Sequence, residues 1–323
     1  MQLRSSVELS LLGSSVLDFG PPTDYSTSHF TTISEQMNVS SFKQTNIILS
    51  MLFMAFLVGI GSTNVLAQDY KETYNAALEA AKAKDLPTAL TKFTSAANGA
   101  KAAGDETVEK QSRKIISQIE YNLGRGSLKN EDFAGAVKHF DNGISNNPVN
   151  ALNYLARAST LKKMDRTDDA IAAFAQTIEI ATAGQDSKTA RQAEDAIRGH
   201  FMFLASSAVS RNGAKATAAD GAEALGYLQK MLQYVDADAD VLYYTAVSQG
   251  AQGDYDSAVM SADQALEMHR GSKTDKAKIY FIKGESLMNI GEIAGAKAAF
   301  TNAAFGTYAA SARHYLETLG GTN

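Results

Sequence analysis

From about residue 84 onward, small and aromatic residues recur at fixed offsets behind a short polar turn. Lys84-Asp85-Leu86 is followed by Ala89, Phe93 and Ala96, and Glu131-Asp132-Phe133 by Ala136, Phe140 and Gly143. The motif returns as Asp165 with Ala170, Phe174 and Ile178, then as Gly253-Asp254-Tyr255 with Ala258, Ala262 and Ala265. Gly291-Glu292-Ile293 with Ala296, Phe300 and Ala303 closes the series, and Ala224, Leu228 and Met231 form a degenerate copy. Positions i, i+4 and i+7 fall on one face of a helix, so each copy predicts a helix with one buried stripe. A second stripe precedes each: Tyr121, Leu123-Gly124 and Leu128 in one copy, Tyr154, Leu155, Ala158 and Leu161 in the next. Small residues at Gly124, Ala158, Ala246 and Gly284 leave room for a partner helix to approach closely. Pro148 behind the second helix is a stop signal. The unit is therefore a helical hairpin.

The hairpins repeat. Ala136 to Ala170 is 34 residues, and Ala224 to Ala258 is 34 again. The steps from Ala89 to Ala136, Ala170 to Ala224 and Ala258 to Ala296 are longer, which predicts lengthened helices or loops between regular units. One hairpin cannot bury its own apolar faces, whereas stacked hairpins share a continuous core.

Leu123-Gly124, Ala136, Phe140 and Pro148, together with Gly284, Gly291-Glu292, Ala296 and Phe300, resemble the signature of the tetratricopeptide repeat (TPR) family at its usual offsets. The resemblance spans roughly 70–318. It implies an all-α fold, a right-handed α-solenoid (superhelix) of about six helix pairs with a C-terminal capping helix over Tyr308 to Leu319. The fourth unit departs from it: Leu228 and Met231 stand for the aromatic and the small residue, and the inter-helix turn is stretched from Arg211 through Gly221.

The amino terminus reads differently. No charged residue occurs between Gln44 and Gln68, and Ile47 to Ile60 is an almost continuous apolar run. Lys43 precedes it and Val65-Leu66-Ala67 follows, which is the layout of a secretory signal peptide. The run is shorter than the ~20 residues a membrane-spanning helix needs. The expected division is 1–42 as a disordered or mis-assigned extension, 43–67 as signal and 68–323 as the repeat domain. Translation from Met37 would give the signal a more usual length, and the cut is expected near Ala67-Gln68. The chain would then reside in the periplasm or outside the cell; an uncleaved amino-terminal anchor is the alternative.

Composition narrows the function. The chain has 323 residues, 45% hydrophobic and 20% charged, with four Pro and no Trp. Abundant Ala and scarce Pro favour helix over strand. Net charge is −5 and no basic stripe appears, which argues against nucleic acid as partner. With no cysteine, disulfides, thiolate metal sites and a lipid-bearing cysteine are excluded. The five histidines form no ligand pair, and His139 beside Phe140 is expected to face solvent. No phosphate loop or nucleophile elbow occurs. Asp236, Asp238 and Asp240 alternate as in a calcium loop, but Val241 and Val247 stand where Gly and Glu are required. One of these aspartates is expected instead to cap a helix starting near Val241. The reading is of no enzyme, cofactor or metal, and of no membrane contact beyond the signal.

The resemblance also implies where a partner would bind, on the concave face made by the first helix of each pair. It places Tyr121, Arg125 and Lys129 there in the second unit, and Leu155, Ser159, Lys162 and Lys163 in the third. Tyr243 follows in the fifth, and Phe281 and Glu285 in the sixth. Aromatic rings beside cations suit an extended protein or peptide segment. The cationic clamp by which some family members hold chaperone carboxyl termini is not kept: Tyr74, Leu78, Leu152 and Ala156 occupy its positions and only Asn122 matches. A small-molecule or glycan binder with a pocket at the irregular fourth unit, or a structural spacer without ligand, are the alternatives to a scaffold.

Overall fold

The structure, a computed structural model, describes residues 65–211 and 215–320, with side chains from residue 69. The expected extension and nearly all of the expected signal lie outside these residues. The described residues form thirteen α-helices and a 3₁₀ turn, with no strand among them. The described residues divide into two compact units, one up to residue 119 and one from residue 120 on, with the boundary inside a helix.

In the first unit, α1 (Val65–Lys82) and α2 (Leu86–Ala102) form a hairpin, followed by the opening part of α3 (Glu106–Lys129). Phe93 is fully buried and meets the Tyr74 ring edge-on at 5.4 Å. Gly99 lets the helices close: a Cβ there would lie 2.7 Å from Tyr70 Cβ. The Tyr70 hydroxyl donates to Asp105 at 2.9 Å, and Asp105 in turn accepts from the Val108 amide.

The second unit holds the rest of α3 and then α4 (Phe133–Asn146), α5 (Ala151–Lys163), α6 (Thr167–Ala183), α7 (Ser187–Ser210) and α8 (Ala218–Met231). It continues through α9 (Ala239–Ala251), α10 (Tyr255–Met268), α11 (Lys273–Asn289), α12 (Ile293–Ala303), the 3₁₀ turn Gly306–Tyr308 and α13 (Ala309–Gly320). From α4 onward each helix packs on the next. The first helices of successive pairs also touch one another, α5 with α7, α7 with α9 and α9 with α11. This is the expected all-α solenoid of helix pairs.

The repeat motif has a structural meaning. Ala89, Ala136, Ala170, Ala258 and Ala296 are each the fourth residue of their helix, α2, α4, α6, α10 and α12, and each is at most 1% exposed. The polar turn before them places one residue in the left-handed region, Lys84, Glu131, Asp165, Gly253 or Gly291, with φ between 56° and 83°. The next residue is the N-cap. Asp85, Asp132 and Asp254 accept the amides of Thr88, Gly135 and Ser257. Arg166 and Glu292 hold the same place without a side-chain cap.

The longer repeat steps are taken up mainly by first helices. α3 and α7 run 24 residues each, against 13 in α5 and α9. In the fourth unit α7 ends at Ser210 and α8 begins at Ala218. Gly221, expected in the turn between them, lies inside α8, which begins a turn early on a capping box of Thr217 and Asp220. Ala224, Leu228 and Met231 still face the core at 0–1% exposure, so the degenerate copy keeps its packing register.

Candidate interaction face

The expected residues lie on α3, α5, α9 and α11 of the second unit. On α3, Tyr121 is half-buried, 6.1 Å from Phe140, with the Arg125 guanidinium 5.7 Å above its ring. Burial raises the Tyr121 pKa, and Arg125 partly offsets this. Lys129 is exposed one turn on. Gly124 makes room for the Phe140 ring: a Cβ there would lie 2.5 Å from Phe140 Cε1.

On α5, Leu155 is partly buried against the main core of the unit, while Ser159 is half-buried and Lys162 and Lys163 reach solvent. Desolvation lowers the Lys162 pKa. His200 on α7 is also lowered, first by desolvation and then by the charge of Lys162, with Asp168 acting the other way. The sequence offered no sign of this meeting, because α7 lies outside the regular register.

On α9 and α11 the expected residues belong to one cluster. Lys278 sits 4.9 Å over the Tyr243 ring and bonds Asp240 at 2.7 Å. The Phe281 ring lies 5.7 Å from Phe300 and 5.2 Å from Tyr308. Glu285 accepts the Tyr315 hydroxyl at 3.0 Å, and Tyr315 stacks on Phe300 at 4.6 Å with planes 5° apart. Tyr308 reaches back to Tyr243, hydroxyl to hydroxyl at 3.5 Å. Burial, and secondarily the neighbouring Tyr308, hold the Tyr243 phenol well above its ordinary pKa. Tyr243, Phe281 and Glu285 are therefore in contact with the chain's own C-terminal segment. Sequence reasoning missed Lys278 and Tyr308. Lys278 lies one turn before Phe281 on the same helix and was within reach of the pattern. Tyr308 comes from outside the repeats.

Two expectations about polar residues have definite outcomes. His139 does not simply face solvent: its Nδ1 lies 2.6 Å from Glu120 Oε2, and Asn142 donates to the other oxygen at 3.2 Å. Glu120 is 5% exposed, and a carboxylate at that depth needs such partners. Asp238 caps α9, accepting the amides of Asp240 and Val241, and the Arg198 guanidinium bonds its other oxygen at 2.7 Å. An open polar hollow at the irregular unit is lined by Glu194, Arg198, Gln233 and Asp236 among others. Arg198 is already committed there, to Asp238 and to the Asp236 carbonyl.

Among the described residues no helix is long and apolar enough to cross a membrane. Residues 240–272, spanning α9 and α10, match the family model of the tetratricopeptide repeat. A comparison with curated proteins gave no match. Solved structures similar to this chain include PilW, a widely conserved type IV pilus biogenesis factor, at 17% identity over 58% of this chain and 76% of that one, TM-score 0.27. A tetratricopeptide repeat protein from Parabacteroides merdae is similar at 14% identity, over 78% of this chain and 99% of that one, TM-score 0.30. A thermophilic TPR protein of Thermus thermophilus is similar at 17% identity, over 63% and 98%, TM-score 0.27. Likeness at this level says nothing of partners. The tetratricopeptide-repeat match thus covers one helix pair, α9–α10, of the helix pairs among the described residues.

Proposed function

We propose that the protein is an exported, non-enzymatic scaffold that holds an extended protein segment against the first helices of its second unit. The carrying observation is the pairing of rings with cations along that face, Arg125 over Tyr121 and Lys278 over Tyr243, with Ser159 and Lys162 between them in sequence. Rings supply apolar contact at low entropic cost, and flanking cations add attraction for carboxylates and carbonyls. The polar hollow at Glu194 and Arg198 gives less support to a small-molecule reading, since its strongest donor is bound internally.

A photo-crosslinking residue at Ser159 on α5 tests the reading against one at Met260 on α10, which is 64% exposed. The Ser159 probe is expected to give a discrete crosslinked species in cell-envelope extracts where the Met260 probe gives none. Equal labelling from both positions would remove the case for the first-helix face. Export is supported by the apolar run 47–60 behind Lys43. Amino-terminal sequencing of the extracellular or periplasmic protein should read from Gln68, and protein retained in the cytoplasm with its leader intact would refute export.

A further inference from the structure

We infer that the turn Phe305–Tyr308 is a built-in occupant of the groove between α9 and α11, which an aromatic peptide segment must displace in order to bind there. The inference rests on the first-helix face being the binding face. Tyr308 skips a helix pair: it packs on Phe281 of α11 at 5.2 Å and reaches the Tyr243 hydroxyl of α9. Capping the open end is a separate task, met by Tyr315 stacked on Phe300 and by Ala312 and Leu319 buried in the same cluster.

The segment that carries Tyr308 is weakly held. Ala303 and Ala312 are fully buried, and no residue between them is buried. Phe305 is 37% exposed, with Lys273 5.7 Å from its ring. Gly306 turns the chain at φ 54° and passes close to Thr274 at the start of α11. A stretch between two firm anchors with no buried side chain of its own opens at low cost. Its tether gives it an effective concentration on the order of millimolar, so it competes with any free ligand. The occupant also defines the ligand: a turn-forming segment that packs a phenol ring on Phe281 and brings its hydroxyl to that of Tyr243.

The test uses full-length protein and a fluorescent peptide carrying residues 303–311 of this chain. Tyr308→Ala is expected to bind the peptide at least about tenfold more tightly than wild type does, by anisotropy, because the tethered competitor is gone. Tyr308→Phe, which keeps the ring contact, is expected to behave as wild type. Circular dichroism melts of all three establish that α9–α12 remain folded. Equal affinity in wild type and Tyr308→Ala, or no saturable binding to either, overturns the inference. Crosslinking from Ser159 is independent of this turn, so a partner captured there alongside a negative peptide result would leave the scaffold reading standing.

Discussion

At the scale of single residues, the turn motif is a compromise between two demands. One residue must take a left-handed conformation and the next must cap a helix. Gly253 and Gly291 meet the first demand without strain, but Lys84, Glu131 and Asp165 do so with a side chain. A Cβ in that region costs roughly 1–2 kcal/mol, partly offset by the greater freedom glycine has when unfolded. Glu131→Gly is therefore expected to stabilise the protein by about 0.5–1 kcal/mol in urea unfolding. A loss of stability would mean that the Glu131 side chain makes a contact outweighing its backbone strain. The same logic explains why this turn was readable in sequence as Gly or Lys followed by Asp. The carboxylate is placed for the third amide of the next helix, and few side chains do this.

At the scale of elements, the α3–α4 and α11–α12 hairpins are each closed by one large ring opposite one missing side chain. Phe140 faces Gly124 and Phe300 faces Gly284, where a Cβ would lie 2.5 Å and 2.8 Å from the nearest ring carbon. Both phenylalanines are fully buried, so the rings have little freedom to retreat. Gly124→Ala should cost roughly 1–3 kcal/mol through overpacking. Combining it with Phe140→Leu should recover part of that loss, as measured by a double-mutant cycle. Additive losses would show that the two side chains do not share one space. In α9–α10 the aromatic is replaced by Ala262, with Ile279 of α11 in the same cluster, so the space is filled from a neighbour. Such an exchange keeps the helix pattern but leaves no trace in the repeat motif.

At the scale of the molecule, the second unit is a chain of neighbours. Its helices pack on those next in order and, among first helices, on those one pair away. Stability in such an array is close to a sum of local terms. Phe140→Ala should lower global stability by roughly 3–5 kcal/mol if Phe140 fills the α3–α4 core, and by less if that end opens alone. Hydrogen exchange of the variant is expected to accelerate strongly in α4 and α5 and little in α11–α13. Uniform acceleration across the unit would instead reveal a single cooperative block.

What the sequence by itself determined was what short-range periodicity governs: the helix pairs, the Asp238 cap and the buried alanines. These depend on residues within one or two turns of each other, where backbone geometry dictates who can meet whom. Even the degenerate copy at Ala224, Leu228 and Met231 kept its buried register, although α8 begins a turn earlier than expected. Only the tertiary structure decided which face residues meet other parts of the chain. Tyr308 lies 65 residues from Tyr243 in sequence, and Glu120 lies 19 from His139. Contacts of that kind depend on how one helix is set against another. Small differences in helix length, such as the long α7, change that setting without altering the stripe of small and aromatic residues from which the fold is read.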